Sequence, residues 1–446
     1  MANNQHSREM RGQFPTLQWG LLGPEHLAGS RRTRTLGLGA AVRKFNQLAV
    51  PGLGGVWFAK QIYLATLGVL IADRLRSEDD NVKAIEIANA IEALACWCAF
   101  SSNGWKSDAR LRGRRKLSGK DDLTFTQLRQ PRFYVTQPMR MATVETLVDL
   151  GFVKSGSQRF NSFRCTEKGK ELVKKATSKY KPYNCTVEDY LLKRIRDDGS
   201  ISNTPELRDA LSPLVGLQDE ALDLIRNRIK EDAGRCPEAA RRKNALEWVN
   251  SLDVKKPAGW EAKPDKLDVH HWDDLRLGAL FFKARDAAIE VLNAIEAAMA
   301  PLAVPKLTAD AAHKLSPVQT TLKELRKAAK KFLNESDDPT EGHMATIFCR
   351  ECTEEDSSAI IRYLVQRDDR VLRMVGNDIL PGAAFSVQPQ AETSDEEDEG
   401  PGAGNVGRIP TPDGISERIR NLYLLNLDLQ EQLGNFLKQS MPNEVA

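Results

Sequence analysis

Residue types that bind metal ions occur close together at one place near the C-terminal third of the chain. Cys349-Arg-Glu-Cys352 is a Cys-x-x-Cys pair, and His343 lies six residues upstream. A structural zinc site needs four ligands, and no second pair follows at zinc-finger spacing, so only a tertiary contact with Cys236 or His313 would complete one. We predict two ordinary cysteines near a helix start and no bound metal; zinc at Cys349 and Cys352 stays the alternative.

A second cluster, His270-His271-Trp272-Asp273-Asp274, carries groups suited to acid–base or metal chemistry. Adjacent side chains diverge on a helix and face opposite ways on a strand, so few of them would converge on one ion. A helix N-terminus capped by Asp273 or Asp274 explains the carboxylates without chemistry. The sequence also contains no Walker loop, H-E-x-x-H, Gly-x-Ser-x-Gly or kinase signature. We therefore expect a protein that is not an enzyme and that has no catalytic residues or cofactor.

Basic residues are concentrated in one part of a nearly neutral chain. The whole sequence has a formal net charge of +3, whereas residues 104–181 hold 19 Lys and Arg against 7 Asp and Glu, a net charge of +12. This asymmetry predicts a patch that binds a polyanion, although basic side chains that merely solvate helix faces are the alternative. A glycine-containing loop in this block, expected to be mobile, carries the candidate phosphate contacts Arg110, Arg112, Arg114, Arg115 and Lys116.

Residues 141–175 show the order helix, glycine, hairpin, helix. A helical run at 141–150 places Met141, Val144, Leu147 and Val148 on one face and ends at Gly151, because glycine accepts the left-handed backbone that terminates helices. Residues 152–154 and 159–165 then read as two strands joined by a turn at 155–157, and Thr166 is a candidate N-cap for a second helix.

The stretch Leu147-Val-Asp-Leu-Gly-Phe-Val, followed by Phe163-Arg-Cys-Thr-Glu-Lys-Gly-Lys-Glu-Leu-Val, resembles the wing region of the winged-helix superfamily. That superfamily often shows Leu-x-x-x-Gly-(Leu/Phe/Ile)-(Ile/Val) and then Leu-Thr-x-x-Gly; here Cys165 stands where leucine is usual. The resemblance is confined to about residues 120–180. It implies that one helix, with Pro138 in its first turn, lies in the DNA major groove while the wing follows the backbone. Base contacts would come from exposed side chains of Gln137, Arg140 and Thr143, and phosphate contacts of the wing from Lys154, Gln158 and Arg159. Arg164 and Lys168 are further candidate DNA-binding residues.

Composition excludes several broad classes. The chain is 41% hydrophobic and 28% charged, as in ordinary soluble proteins. Seven cysteines without framework spacing favour a reducing compartment over a secreted disulfide scaffold. The apolar run at 62–72 is shorter than the roughly 20 residues that cross a bilayer, so we predict a buried core helix there. With no signal-peptide pattern, the expected location is the cytoplasm and no membrane partner is predicted.

We predict a mainly α-helical fold in which a winged-helix domain with a small β-hairpin is embedded in a multi-helix protein. The central helical pair is expected at 57–75 and 81–98, the second helix being amphipathic, after a flexible joint at 52–55 that is not a nucleotide loop. The predicted domains are an irregular basic arm (1–55), the helical pair with the winged helix (56–182), an α-helical body without strands (183–385), a disordered acidic linker (386–413) and one C-terminal amphipathic helix (414–446). Within the body, helical periodicity covers 187–196, 205–211, 217–233, 238–252, 274–299, 317–334 and 355–375.

These patterns predict a non-enzymatic, DNA-associated subunit of a multi-protein bacterial assembly, such as a DNA-maintenance or antiviral (phage-defence) system. The winged helix and basic loop would hold double-stranded DNA. The helical body and the apolar stripe of residues 414–441, which must dock on the body or on another chain, would bind a protein partner or a second copy. Two other interpretations stay open: a scaffold subunit whose winged helix does not touch DNA, and a winged-helix transcriptional regulator. An unrecognised enzyme is a third, for which a bound metal would be the sign.

Overall fold

Helices dominate the chain, as the sequence predicts. The computed structural model describes residues 34–77, 82–121, 123–157, 159–231, 239–335, 337–385 and 409–440. The first 33 residues of the basic arm, Gln158, Cys236 and residues 386–408 of the acidic linker therefore lie outside the described residues. The helices are α1 (Gly39–Ala49), α2 (Ala59–Arg76), α3 (Ala84–Asn103), α4 (Arg114–Leu117), α5 (Phe125–Leu128), α6 (Val144–Asp149), α7 (Glu167–Thr177), α8 (Val187–Asp197), α9 (Pro205–Leu211), α10 (Asp219–Lys230), α11 (Ala239–Asn250), α12 (Val269–Met299), α13 (Ala309–Ala312), α14 (Ser316–Leu333), α15 (Met344–Glu351), α16 (Ser357–Asp368), α17 (Glu417–Leu429) and α18 (Leu433–Ser440).

Two small antiparallel sheets accompany these helices. One is the predicted hairpin, β1 (Val153–Lys154) with β2 (Arg164–Cys165). The other has three strands in the order β3 (Leu307–Thr308), β5 (Asp378–Pro381), β4 (Leu372–Val375). The prediction of a strand-free body is therefore wrong. Its last helix, expected to run to residue 375, ends at Asp368, and a tight turn with Gly376 at φ +62° joins β4 to β5.

The helices α2 and α3 form the centre of a first hydrophobic core. Both are buried on almost every side, so α3 is not the amphipathic helix that the sequence predicts. They cross closely at Gly68, where an added Cβ would lie 2.7 Å from the Cα of Ala88. By length and composition α3 is able to cross a membrane, but 78% of its apolar window is buried inside the protein. The run at 62–72 is a buried core helix, as predicted.

The segment predicted as an irregular arm is ordered from residue 34 onwards. Helix α1 buries Ala41 and Phe45 in a second core and Ala49 in the first. The spacing of Leu38, Ala41, Phe45 and Leu48 is that of a buried helix face, which the glycine and arginine content of the flanking sequence obscures. The prediction of an arm reaching residue 55 is therefore wrong for residues 34–55.

The long helix α12 divides the predicted helical body between the two cores. Trp272 and Leu275 near its start pack in the first core with α8, α10 and α11, whereas Leu277 to Met299 pack in the second core. The second core is built from α12, α14, α15, α16 and the three-stranded sheet, with β4 against α16. Residues 183–385 are therefore two packing units joined through one continuous helix.

The C-terminal residues form two helices instead of the predicted single one. They separate at Gln430–Gln432, where Glu431 adopts φ +59°. The apolar side chains of α17 and α18, among them Ile419, Leu422 and Leu425, are buried in the first core against α11. Packing begins at Ile409, before the predicted end of the linker. The stripe predicted to dock on the body or a partner is thus covered by this chain itself.

Candidate nucleic-acid interface and the adjoining cavity

The hairpin and its flanking helices follow the predicted order. Gly151 at φ +73° ends α6, Val153 pairs with Cys165, and Lys154 pairs with Arg164. Thr166 caps α7, since its Oγ1 accepts a hydrogen bond from the N–H of Gly169 at 3.1 Å. The returning strand is shorter than predicted: residues 160–162 form a 3₁₀ turn in which the Ser162 hydroxyl donates to the carbonyl of Arg159 at 2.7 Å.

Positive charge is concentrated on this hairpin. Lys154 and Arg164 are directly opposite each other and both exposed, and like charges in that position repel. The carboxylate of Asp73, at the end of α2, interacts with two arginines. Its Oδ1 accepts from Arg76 at 2.8 Å and lies 3.7 Å from Arg164 Nε. The pKa of Arg76 is lowered by its burial and then by the charge of Arg164. Arg159 adds a further exposed cation.

Other carboxylates beside the hairpin already have cationic partners. Glu167 accepts from Lys170 at 2.8 Å, and Glu188 pairs with Arg74. Lys168, the last of the predicted DNA-binding residues, is exposed and donates to Glu171 at 2.9 Å. The hairpin cations Lys154, Arg159 and Arg164 therefore exceed the nearby negative charge, because the carboxylate beside them, Asp73, is shared between Arg76 and Arg164.

The basic loop is a folded segment and not the mobile loop that its glycines suggest. Leu111 and Leu117 are buried in the first core, and an added Cβ on Gly113 would lie 2.9 Å from Tyr134. Arg110 makes two hydrogen bonds to Asp108, at 2.9 and 2.8 Å, and Arg112 donates to the carbonyl of Gln137 at 2.6 Å.

The five residues of the loop that are predicted to contact phosphates fall into two groups. Arg110 and Arg112 are half-buried and bound within the fold, so the prediction that they reach DNA is not supported by their positions. Arg114 and Arg115 are exposed, Arg114 donating to the hydroxyl of Ser107 at 2.9 Å, and Lys116 is half-buried. Arg115 and Lys116 also have interaction partners within the chain.

The buried carboxylate of Glu92 determines where the predicted base-reading residues lie. It accepts hydrogen bonds from the hydroxyl of Tyr134 and from the N–H groups of Met139 and Arg140, the last at 3.0 Å. Burial raises the pKa of Glu92, and these hydrogen bonds act in the opposite direction. The start of the 139–143 segment is thereby held against α3.

The expected exposure of Gln137, Arg140 and Thr143 is consequently wrong. Arg140 is 8% exposed; it donates to Asn89 and lies over the ring of Phe160 at 5.3 Å. Thr143 is fully buried and donates to the carbonyl of Arg140 at 2.8 Å. Gln137 is half-buried. Pro138 precedes a 3₁₀ turn, Met139–Thr143, rather than lying in the first turn of a long helix. The side chains of Arg140 and Thr143 therefore stabilise the fold and are not positioned to read bases.

The outward face of residues 141–149 is apolar and acidic. Met141 is 53% exposed, Val144 and Val148 are half-buried, and Glu145 and Asp149 stand between them. This face borders a cavity of about 920 Å³ whose other walls come from α1, the hairpin turn and α17. Leu147, predicted to share the stripe, points instead into the core.

Comparison with known proteins finds no matching family model, no matching curated protein and no matching solved structure.

The two candidate metal clusters have structural roles among the described residues. Cys349 and Cys352 are buried in the second core, and burial raises the pKa of Cys349 to about 12. In the described ranges no group of three or more His, Cys, Asp or Glu side chains is placed to hold a metal ion.

The cap of α12 is one turn earlier than predicted. Asp268, and not Asp273 or Asp274, accepts from the N–H of His271 at 2.8 Å. His271 is buried with Nε2 2.8 Å from the carbonyl oxygen of Ala49, and burial lowers its pKa. Asp274 pairs with Arg241 at 2.6 Å.

Sequence reasoning missed Glu92, Asp73 and Arg418, which position the hairpin and the cavity. A signal for the first was present: Glu92 is the one carboxylate in the otherwise apolar run from Ala90 to Phe100. A lone acid in such a run is expected to have buried partners, because an unpaired buried charge is unstable.

Proposed function

We propose that this protein is a non-enzymatic, DNA-associated subunit that contacts the phosphate backbone of double-stranded DNA through its β-hairpin. The observation that carries the proposal is the cross-strand pair of Lys154 and Arg164. Two exposed cations facing each other on a two-residue ladder destabilise a free hairpin. Polyanion binding removes that repulsion and releases counterions, which is the usual source of affinity for DNA.

The proposed contact is to phosphates and not to base edges. Lys154, Arg159 and Arg164 are exposed cations of the kind that position a protein on the duplex, whereas Arg140 and Thr143 are withdrawn into the fold. The outward face of residues 141–149 carries no cation, and its carboxylate Glu145 is paired with Arg418, so this face offers no contact to a phosphate backbone. Geometry therefore favours sequence-independent association over a winged-helix regulator that reads a cognate site.

Fluorescence anisotropy of a labelled duplex, titrated across salt, tests the proposal. The triple variant Lys154→Gln, Arg159→Gln, Arg164→Gln is compared with wild type and with a control triple, Lys323→Gln, Lys330→Gln, Lys331→Gln, on the exposed face of α14. The slope of log affinity against log salt is about −0.9 per phosphate contact, so the hairpin triple should reduce it by roughly 2 to 3. The control triple should leave it unchanged.

A second duplex of scrambled sequence should bind with nearly the same affinity, because the proposed contact does not read bases. Equal slopes for the two triple variants would refute the hairpin as the contact. Absence of binding at low salt would overturn the DNA proposal altogether and return the protein-interaction scaffold as the better interpretation.

A further inference from the structure

The cavity beside the hairpin is built by four separate parts of the chain. Its walls are α1, the loop at 54–55, residues 141–157 and the start of α17. Its volume of about 920 Å³ falls in the range of small-molecule sites, which is about 300 to 1,000 Å³. Side chains of Met141, Val144, Val148 and Phe163 supply its apolar lining.

Close contacts hold these walls in place without a ligand. An added Cβ on Gly54 would lie 2.6 Å from the carbonyl oxygen of Ala142, and the Thr146 hydroxyl donates to the carbonyl of Leu53 at 2.5 Å. The loop at 52–55, predicted to be a flexible joint, is therefore fixed against α6. Across the cavity, Arg418 donates to Glu145 and to the carbonyl of Val50, both at 3.1 Å.

One polar group in the wall lacks a partner. Asn421 of α17 lines the cavity and is 4% exposed, and its Oδ1 has no hydrogen-bond partner. A buried amide oxygen without a donor is unfavourable by about 1 to 3 kcal/mol, so such groups in native proteins call for an explanation. The terminal torsion of asparagine is soft, so the amide of Asn421 is free to reorient when a donor binds in the cavity that this residue lines.

We propose that this cavity is a binding site for a neutral, mainly apolar organic molecule that carries an N–H or O–H donor for Asn421. Neutrality follows from the charges of the lining. Arg418 pairs with Glu145 and Glu417 with Arg420, and the two other charged residues of the lining, Arg43 and Asp149, are opposite in sign. The apolar body would cover Met141, Val144 and Val148, which are otherwise open to water on this face. The site is independent of the proposed DNA contact.

The first test uses N-phenyl-1-naphthylamine, an apolar fluorescent probe with one N–H donor, and its N-methyl derivative, which lacks the donor. Wild type should bind the first probe saturably at one site. Val148→Arg, which places a charge in the cavity, should weaken binding at least 10-fold, whereas Val304→Arg, at a valine that is 71% exposed, should not change it.

Comparison of the two probes tests the proposed hydrogen bond between the ligand donor and Asn421. The N-methyl derivative should bind wild type about 5-fold more weakly, as expected for loss of one hydrogen bond. In Asn421→Leu the two probes should bind equally. A structural role of Asn421 alone would weaken both probes by the same factor and would overturn this part of the proposal.

Equal binding of the first probe by Val148→Arg and Val304→Arg would show that it binds elsewhere and would refute the site. So would the absence of saturable binding by wild type. Circular dichroism checks that each variant folds. If Val148→Arg does not fold, Met141→Glu on the exposed rim repeats the test with the same expected loss.

Discussion

Lys60, in the first turn of α2, is a buried cation whose removal tests the packing of the C-terminal helices. Its side chain is 3% exposed, and burial lowers its pKa from 10.5 to about 7 against the attraction of Asp428 and Asp209. Asp428 on α17 is half-buried, and this desolvation raises its pKa, while it accepts from the N–H of Ala59 at 2.7 Å. The docked position of α17 thus keeps water from both groups.

This pKa determines the sign of a pH dependence. Between pH 7 and pH 10.5 the folded state holds fewer protons at Lys60 than the unfolded state, so the free energy of unfolding rises with pH in this window. Below pH 7 the amine is protonated in both states, and its contribution no longer changes. The slope approaches about 1.4 kcal/mol per pH unit, so the gain between pH 7.0 and 8.5 is on the order of 1 to 2 kcal/mol.

Lys60→Met keeps the apolar stem and removes the titrating amine, so it should remove this gain. Urea unfolding is followed by tryptophan fluorescence at both pH values, since every tryptophan of the described residues lies in or against the first core. The control is Lys193→Met, at an exposed lysine of α8. Buried thiols, whose pKa values are raised, titrate alike in all three proteins and cancel in the comparison.

Wild type and Lys193→Met should each gain about 1 to 2 kcal/mol more than Lys60→Met on going from pH 7.0 to 8.5. Parallel pH dependence in wild type and Lys60→Met would mean that water reaches the amine. That result would refute the buried contact between α2 and α17.

Two further substitutions test the elements that position the hairpin. Glu92→Ala should lower the free energy of unfolding in urea by about 3 to 5 kcal/mol, because it leaves the buried charge of Arg140 without its anionic neighbour. Glu92→Gln should lower this free energy by a smaller amount. Equal stability of wild type and both variants would contradict the buried network. Gly68→Ala should cost about 1 to 3 kcal/mol in thermal or urea unfolding, because its Cβ meets the backbone of Ala88. Gly434→Ala is the control, because an added Cβ at Gly434 meets open space. This substitution should leave stability unchanged or raise it slightly. An equal loss of stability at the two glycines would contradict the close crossing of α2 and α3.

Local signals predicted the elements around the hairpin well. Gly151 ends a helix with a positive φ, and Thr166 caps the next one, because each outcome depends on atoms within a few residues along the chain. Helical periodicity likewise located most helices of the body, including Pro205–Leu211. The Gly376 turn shows the limit: its flanking strands are four residues each, too short for an alternating pattern to stand out.

Residue type alone did not predict which side chains are exposed in the folded protein. An arginine in a basic block is a reasonable phosphate contact, yet Arg112 and Arg140 lie beside the buried Glu92, which is distant in sequence. The apolar stripe near the C-terminus was correctly found, but the sequence left open whether the same chain or another one covers it. In the structure, α11 and the first core cover it.

The sequence by itself therefore determined the helical class, the hairpin with its glycine and threonine boundaries, and the block of basic residues from which the DNA hypothesis comes. Only the tertiary structure decided which cations stay exposed, where the two cores divide along α12, and that a cavity lies between α6 and α17. The physical reason is how far apart along the chain the interacting residues lie. Backbone conformation and caps follow from neighbouring residues, whereas burial, charge pairing and cavities depend on residues that folding brings together from distant parts of the chain.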